Sequence, residues 1–117
     1  MNENFVFVYG TLKKNQRANY MLNDSEYIGE GYIENYVMYN LGAFPGIKFE
    51  RGDENKVYGE IYKVDSETLE RLDSYEGYPS FYGRDKVIVY PQQIICDVYV
   101  YNGTCNKIDI IEKGVWK

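Results

Sequence analysis

Glu76 is the side chain in this sequence with the strongest basis for acid–base chemistry. It follows Leu72 by four residues in a segment with helical spacing, so we expect it on the core-facing side of a helix. It also falls in the last turn, where the helix dipole disfavours another negative charge. Burial and the dipole both raise the pKa of a carboxyl group, and a glutamate near neutrality can accept and return a proton. The alternative, a helix-terminal glutamate turned to solvent, fits the same pattern.

A second candidate for chemistry is the loop formed by Tyr9, Gly10, Thr11 and Leu12. Residues 5–9 are five apolar residues in a row, which predicts a short strand buried on both faces. The strand runs into Gly10, where the backbone can turn and approach a ligand closely. Consecutive N–H groups after such a glycine often form a concave site for a carboxylate or a polarised carbonyl oxygen. Taken alone, the stretch is also explained as a core strand that leaves through a glycine turn.

Two other carboxylates are rivals of Glu76. Glu60 alternates with Tyr58 and Tyr62 on a predicted strand, so it is either a second pocket carboxylate or a residue on the solvent face of the sheet. Asp73 is interpreted as a solvated helix residue.

Four further side chains lie close in sequence to the two candidates: Lys13, Lys14, Tyr82 and Arg84. Tyr82 and Arg84 follow Glu76 closely and can reach the same pocket, although Arg84 fits equally well as half of a surface ion pair. The lysines can attract an anionic ligand to the loop, although lysines after a strand are usually solvated.

The elements that must position these residues are mostly short strands. Alternation and turn residues predict strands at 4–9, 27–41 (with a second segment at 36–41), 47–49, 57–64, 84–90, 94–101 and 108–112. Gly29 and Gly31 predict bulges or bends, as in a curved or barrel-like sheet. Pro45 and Gly46 fit the central positions of a type II turn.

Two helices are predicted between the strands. Asp65 or Ser66 is expected to cap a helix over 67–76, which ends at Gly77. A shorter helix is expected over 16–22, after a loop in which Asn15 can be left-handed. The whole is a single α+β domain spanning 1–117, mostly a curved and largely antiparallel sheet with one or two packed helices.

Composition excludes several classes of function. The net charge is -5, from 18 acidic and 13 basic residues without a basic stripe, which argues against nucleic acid and anionic membranes as partners. No signal peptide or membrane-spanning run is visible, so we expect a soluble cytoplasmic protein. The chain has no histidine, which removes Ser-His-Asp and Cys-His catalysis and most catalytic zinc sites. Cys96 and Cys105 lack metal-ligand spacing and are expected to be reduced thiols.

The stretches Tyr9-Gly10-Thr11-Leu12 and 72–77 (LDSYEG) resemble motifs of the γ-glutamylcyclotransferase-like (AIG2-like) proteins, which include the γ-glutamylamine cyclotransferases. Further pieces fall in the family's order, namely 42–46 (GAFPG), 57–62 (VYGEIY), Tyr82 with Arg84, and 98–101 (VYVY). The match runs from about residue 5 to 103. One departure is Asn15, where relatives often carry glycine.

The resemblance implies a small mixed, largely antiparallel β-barrel with flanking helices. It implies that Tyr9, Gly10, Thr11 and Leu12 hold a γ-glutamyl group through their backbone amides. Tyr82, which follows Glu76 closely, is a further candidate substrate-binding residue. The resemblance also implies that Glu76 is the catalytic acid–base in a reaction without metal or cofactor. In that reaction the α-amine of a γ-glutamyl compound attacks its own γ-carbonyl, giving 5-oxoproline and a free amine.

Three functions are compatible with these residues. The leading one is a metal-free γ-glutamyl cyclotransferase acting on a small-molecule γ-glutamyl amine or amide. The second is a non-catalytic protein of the same fold that binds a carboxylate-bearing metabolite. The third, a barrel that binds single-stranded nucleic acid on its tyrosines, is disfavoured by the acidic balance. The amine half of the substrate and the oligomeric state stay open.

Overall fold

The computed structural model describes residues 4–117. Within this range the chain forms eight strands, one α-helix and two 3-10 helices. The strands are β1 (Asn4–Val8), β2 (Glu26–Glu34), β3 (Tyr36–Asn40), β4 (Pro45–Phe49), β5 (Lys56–Val64), β6 (Tyr82–Val89), β7 (Ile94–Tyr101) and β8 (Ile110–Ile111). The α-helix is α1 (Ser66–Glu76), and the 3-10 helices are Asn19–Leu22 and Lys107–Asp109.

The strands form two sheets, and β1 lies at the centre of the larger one. The larger sheet has the order β2-β5-β1-β7-β6 and the smaller has the order β4-β3-β8. The β1–β7 pair is parallel, and the other pairs are antiparallel. The predicted α+β class with a largely antiparallel sheet is therefore confirmed.

The β-barrel that the family resemblance implies is wrong for the described strands, which form two sheets that do not close into a barrel. The outer strands of the larger sheet meet at one isolated bridge, where Tyr32 and Tyr90 exchange two backbone hydrogen bonds of 2.8 Å. No ladder extends from this bridge, because β6 has already ended at Val89. After β2 the chain turns at Asn35, which has a φ of 74°, and β3 pairs with β4 instead of continuing the larger sheet.

Gly29 and Gly31 explain how β2 reaches that bridge. The pairing of β2 with β5 shifts register between Tyr27 and Gly29, which confirms the predicted bulge. A Cβ on Gly31 would lie 2.6 Å from Val89 Cγ1, so only glycine allows this close approach.

The core has two parts, one on each face of β1. Phe7 belongs to one cluster, whereas Val6 and Val8 belong to the other. This division follows from the two-residue period of a strand, and it confirms that β1 is buried on both faces. The helix contributes Leu72, which is fully buried, to the second cluster.

The caps of α1 are those that its sequence predicts. Asp65 is the N-cap, and its side chain accepts a 2.7 Å hydrogen bond from the backbone N–H of Thr68. Gly77 ends the helix in the left-handed region, with a φ of 68°. Glu76 is therefore the last residue of α1.

Three local predictions differ from the structure. Pro45 and Gly46 are not turn residues but the first residues of β4, and the turn lies at 41–44, where Leu41 N donates to Phe44 O at 3.0 Å. The helix predicted over 16–22 is a 3-10 helix over the last four of those residues, preceded by hydrogen-bonded turns. The last strand shortens to β8 because a 3-10 helix occupies its first half.

Among residues 4–117, no helix has the length and apolar character needed to cross a membrane.

Candidate active site

A cavity of about 330 Å³ opens where the loop after β1 meets the end of α1. The turn before β4 and the strands β6 and β7 complete its wall. All six residues predicted from the sequence to form a site line it: Tyr9, Gly10, Thr11, Leu12, Glu76 and Tyr82. The fold thus brings together two stretches that are far apart in the sequence.

The Glu76 carboxyl group is half-buried in this cavity. Burial raises its pKa from 4.5 to about 7. No residue in 4–117 forms a hydrogen bond or an ion pair with this carboxylate, so nothing in the described chain offsets the cost of burying its charge. The carboxyl group can therefore exchange a proton near neutral pH and has free oxygens for a ligand.

Three tyrosines surround the carboxyl group with hydroxyl groups that are already bonded. Tyr9 donates to the carbonyl oxygen of Tyr99 at 2.8 Å, and Tyr82 donates to that of Pro45 at 2.6 Å. Tyr99 donates to Asp73 Oδ1 at 2.6 Å. Burial is the main cause that raises the pKa of each tyrosine, and the nearby Glu76 charge raises it further. These phenols therefore stay neutral and act as walls of the cavity, not as acids.

The loop after β1 lines one side of the cavity. Its shape is held by hydrogen bonds from Lys13 N to Gly10 O at 3.1 Å and from Ala18 N to Thr11 O at 3.0 Å. In the part of the chain that the structure describes, the N–H groups of Thr11 and Leu12 have no acceptor. Both residues are buried, and buried N–H groups without a partner are costly unless a ligand or water accepts from them.

Gly10 allows the loop to lie directly against the turn before β4. A Cβ at this position would lie 2.8 Å from Pro45 Cγ and 2.9 Å from Pro45 Cδ. The glycine is therefore needed for a close approach between two walls of the cavity, whereas the sequence predicted a close approach to a ligand.

The interpretation of Asp73 as a solvated helix residue is wrong. Its carboxylate accepts hydrogen bonds of 2.8 and 2.9 Å from Arg84 Nη1, in addition to the one from Tyr99. The antiparallel register of β6 and β7 places Arg84 opposite Tyr99, and the end of α1 packs over both. Arg84 therefore pairs with the helix and does not line the cavity.

We expect Arg84→Gln to lower the free energy of unfolding by about 1–2 kcal/mol, because it leaves a largely buried Asp73 carboxylate without its cation. Urea denaturation measures the change. Arg71→Gln is the matched control, since Arg71 pairs with Glu67 at 3.7 Å on the exposed side of the same helix. That control should cost at most about 0.5 kcal/mol. Equal costs for the two variants would contradict the assignment of Arg84 to a stabilising pair.

Glu60 and the two lysines lie away from the cavity. Glu60 is buried, and its Oε1 accepts from Lys14 N at 3.0 Å and from Tyr62 OH at 3.3 Å. Lys13 Nζ donates to Trp116 O at 2.7 Å, and Lys14 Nζ lies 3.5 Å from the centre of the Tyr27 ring. Glu60 is thus neither a second carboxylate of this cavity nor a residue of the solvent face.

No group of three or more acidic or cysteine side chains in residues 4–117 is arranged to hold a metal ion.

The cavity also includes residues that were not predicted from the sequence to form a site. Phe44 and Tyr99 lie in stretches that resemble motifs of the family, so those motifs were a usable signal. Arg17 had no such signal, because it belongs to the segment that was interpreted as a short helix.

The family comparison matches residues 6–117 to the family described as gamma-glutamyl cyclotransferase, AIG2-like. The chain belongs to this family. In Escherichia coli strain K12, the gamma-glutamylcyclotransferase family protein YtfP is 31% identical over 111 residues, which cover 95% of this chain and 94% of that protein. The crystal structure of a mouse AIG2-like protein superposes with a TM-score of 0.86 at 27% identity, over 100% of this chain and 90% of that one.

Family membership confirms the resemblance drawn from the motifs. A further structure, of a gamma-glutamyl cyclotransferase, has a TM-score of 0.72 at 20% identity and covers 87% of this chain and 68% of that one. That similarity establishes a shared fold. The two motifs that carry the resemblance, residues 9–12 and 72–77, lie in the stretches that meet in this cavity.

Proposed function

We propose that this protein is a γ-glutamyl cyclotransferase that converts a γ-glutamyl amine or amide into 5-oxoproline and a free amine. The observation that carries the proposal is the pairing of two features in one cavity. A carboxyl group with a pKa of about 7 lies beside a loop whose backbone donors have no acceptor in the described chain. Membership of the γ-glutamyl cyclotransferase family supports the reaction class.

The residues of the cavity can assist each step of this reaction. The α-amine of the substrate attacks its own γ-carbonyl, a C–N bond forms, and the Glu76 carboxylate accepts the proton that the amine loses. The N–H groups of Thr11 and Leu12 donate to the oxygen on which negative charge develops. The bond to the leaving amine then breaks, and Glu76 returns the proton to that amine. Because the attack is intramolecular, holding the substrate folded lowers the barrier without a covalent enzyme intermediate.

The direct test is release of 5-oxoproline from a panel of γ-glutamyl dipeptides and γ-glutamyl amines, measured together with the amine produced. Equal amounts of the two products establish the cyclisation. Release of glutamate instead of 5-oxoproline would show hydrolysis and would overturn the proposed reaction.

We expect the activity to depend on pH through Glu76. The carboxylate is the base, so kcat/KM should rise as the pH increases through about 7, where Glu76 loses its proton. A ¹³C-detected NMR titration of the glutamate carboxyl groups measures this ionisation directly, and the resonance missing from Glu76→Gln identifies the residue. A Glu76 resonance that titrates near its ordinary value of 4.5 would contradict the role of burial.

A non-catalytic binding protein is the second candidate, because unpaired loop amides bind a carboxylate whether or not a reaction follows. In such a protein 5-oxoproline or a γ-glutamyl compound should raise the melting temperature while no product is released. The Glu76 carboxylate favours the enzyme, since a pure binder of anions gains nothing from a buried acid beside its ligand.

A further inference from the structure

Arg17 carries the one permanent positive charge among the described residues that line the cavity. The loop contains two more cations, Lys13 and Lys14, but the side chains of both point away from the cavity. Lys13 donates to the carbonyl oxygen of Trp116, and Lys14 lies over the Tyr27 ring. Within residues 4–117, Arg17 is therefore the only positively charged side chain that lines the cavity.

The guanidinium group of Arg17 has no acidic partner in the described chain. Its Nη1 atom donates to the carbonyl oxygen of Ala43 at 3.0 Å, and no carboxylate in residues 4–117 forms an ion pair with it. A guanidinium has five N–H donors, so most of them remain available to a ligand.

The position of Arg17 indicates which half of the substrate it can contact. Glu76 is half-buried within the cavity, and the loop donors of Thr11 and Leu12 are buried, whereas Arg17 is exposed. The hydrogen bond to Ala43 holds the guanidinium beside Phe44 and the turn that forms one rim. The reacting γ-glutamyl half must contact Glu76 and the loop, so the amine half extends toward the opening where Arg17 lies.

We propose that Arg17 determines specificity by binding a carboxylate on the amine half of the substrate. This inference rests on the proposed cyclotransferase function. An arginine and a carboxylate can form two parallel hydrogen bonds, which a neutral or cationic amine cannot make. The favoured substrates are therefore γ-glutamyl amino acids and short peptides whose carboxylate is near the γ-amide bond, and γ-glutamyl derivatives of neutral amines are disfavoured. The Phe44 and Phe81 rings, whose centres are 5.9 Å apart, add apolar surface at the same rim.

The test compares γ-glutamyl-phenylalanine with γ-glutamyl-phenylalaninamide, which differ in the charge of one group. Wild type should prefer the acid by roughly tenfold in kcat/KM, since the pair forms at a partly exposed rim. Arg17→Gln should reduce this ratio to about one by slowing the acid, and Arg17→Lys should restore part of it. Lys14→Gln removes the same charge three residues away, outside the cavity, and should leave the ratio unchanged. An unchanged ratio in Arg17→Gln would overturn the inference.

Binding measurements separate this inference from the proposed reaction. The dissociation constants of both compounds are measured with Glu76→Gln and with Glu76→Gln/Arg17→Gln. Tighter binding of the acid that requires Arg17, without 5-oxoproline release by wild type, supports the role of Arg17 and overturns the reaction. Release from both compounds at an Arg17-independent ratio supports the reaction and overturns the role of Arg17. Absence of both binding and release overturns both.

Discussion

Replacing Glu76 by glutamine is expected to lower kcat for 5-oxoproline release by roughly a thousandfold. Glutamine has almost the same shape, but it can neither accept the proton of the attacking amine nor return one to the leaving amine. The substrate should still bind, because the loop donors at Thr11 and Leu12 are unchanged. The effect should therefore appear in kcat, while the dissociation constant of 5-oxoproline changes little.

Glu60→Gln is the matched control for this variant. Glu60 is a buried glutamate outside the cavity, and its Oε1 accepts hydrogen bonds that a glutamine oxygen can also accept. We expect Glu60→Gln to keep nearly full activity. If Glu76→Gln kept activity and Glu60→Gln lost it, the acid–base role would belong to Glu60.

The stability of Glu76→Gln distinguishes lost chemistry from lost structure. In the folded protein the pKa of Glu76 is raised from 4.5 to about 7, so the native state binds a proton more tightly than the unfolded state. The stabilisation of the native state by this bound proton is fully present below about pH 4.5 and is lost as the pH rises through 7. Glutamine has no such dependence. The melting temperature of Glu76→Gln should therefore be higher than that of wild type at pH 8, and the difference should shrink toward pH 5.

Replacing Gly10 by valine is expected to lower kcat/KM by roughly a hundredfold, mostly through weaker binding. The added Cβ would lie 2.8 Å from Pro45 Cγ, so the loop and the turn before β4 must move apart. This movement displaces the backbone donors of Thr11 and Leu12 from the oxygen that they are proposed to bind. Titration with 5-oxoproline, followed by thermal stabilisation, measures the loss of affinity.

A double-mutant cycle shows whether the clash with Pro45 is the cause. Gly10→Ala introduces the same Cβ, and Pro45→Ala removes the Cγ and Cδ atoms that it would meet. The backbone carbonyl of residue 45, which accepts from Tyr82, is kept in both variants. We expect Gly10→Ala/Pro45→Ala to recover much of the affinity that Gly10→Ala loses. If the double variant lost as much affinity for 5-oxoproline as the two single variants lose together, the packing explanation would be contradicted.

The loss must also be specific to Gly10. Gly83 lies on β6 outside the cavity, and a Cβ there would approach Asn102 Oδ1 to 3.2 Å. Gly83→Ala should leave binding unchanged, with at most a modest decrease in the melting temperature.

Short-range signals were sufficient to predict α1 and to place Glu76 in its last turn. The N-cap at Asp65, the C-terminal Gly77 and the spacing from Leu72 depend on contacts within a few residues, so the helix boundaries and its buried side can be read directly. The same holds for β5 and for the β6–β7 hairpin, where alternation and a local turn set the pairing. The two motifs of the candidate site could be selected for the same reason.

Tertiary structure alone decided how the edges of the larger sheet meet and which charges pair. Contact between β2 and the end of β6 depends on a bridge between two residues far apart in the sequence, Tyr32 and Tyr90, and on the close approach that Gly31 permits. Asp73 has the pattern of a solvated residue until the register of β6 and β7 brings Arg84 and Tyr99 to it. Such contacts depend on long-range packing, which a single sequence does not display.

The cavity shows the same division. The sequence by itself determined that a carboxylate would lie in the last turn of α1 and that a glycine loop would follow β1, but it left open whether that carboxylate faces the core or solvent. The tertiary structure decided that the two meet, that burial moves the pKa of Glu76 to about 7, and that Arg17 reaches the opening while Lys13 and Lys14 do not. Residue types and local spacing specify what each segment can do, whereas burial and charge environment arise only when distant segments pack together.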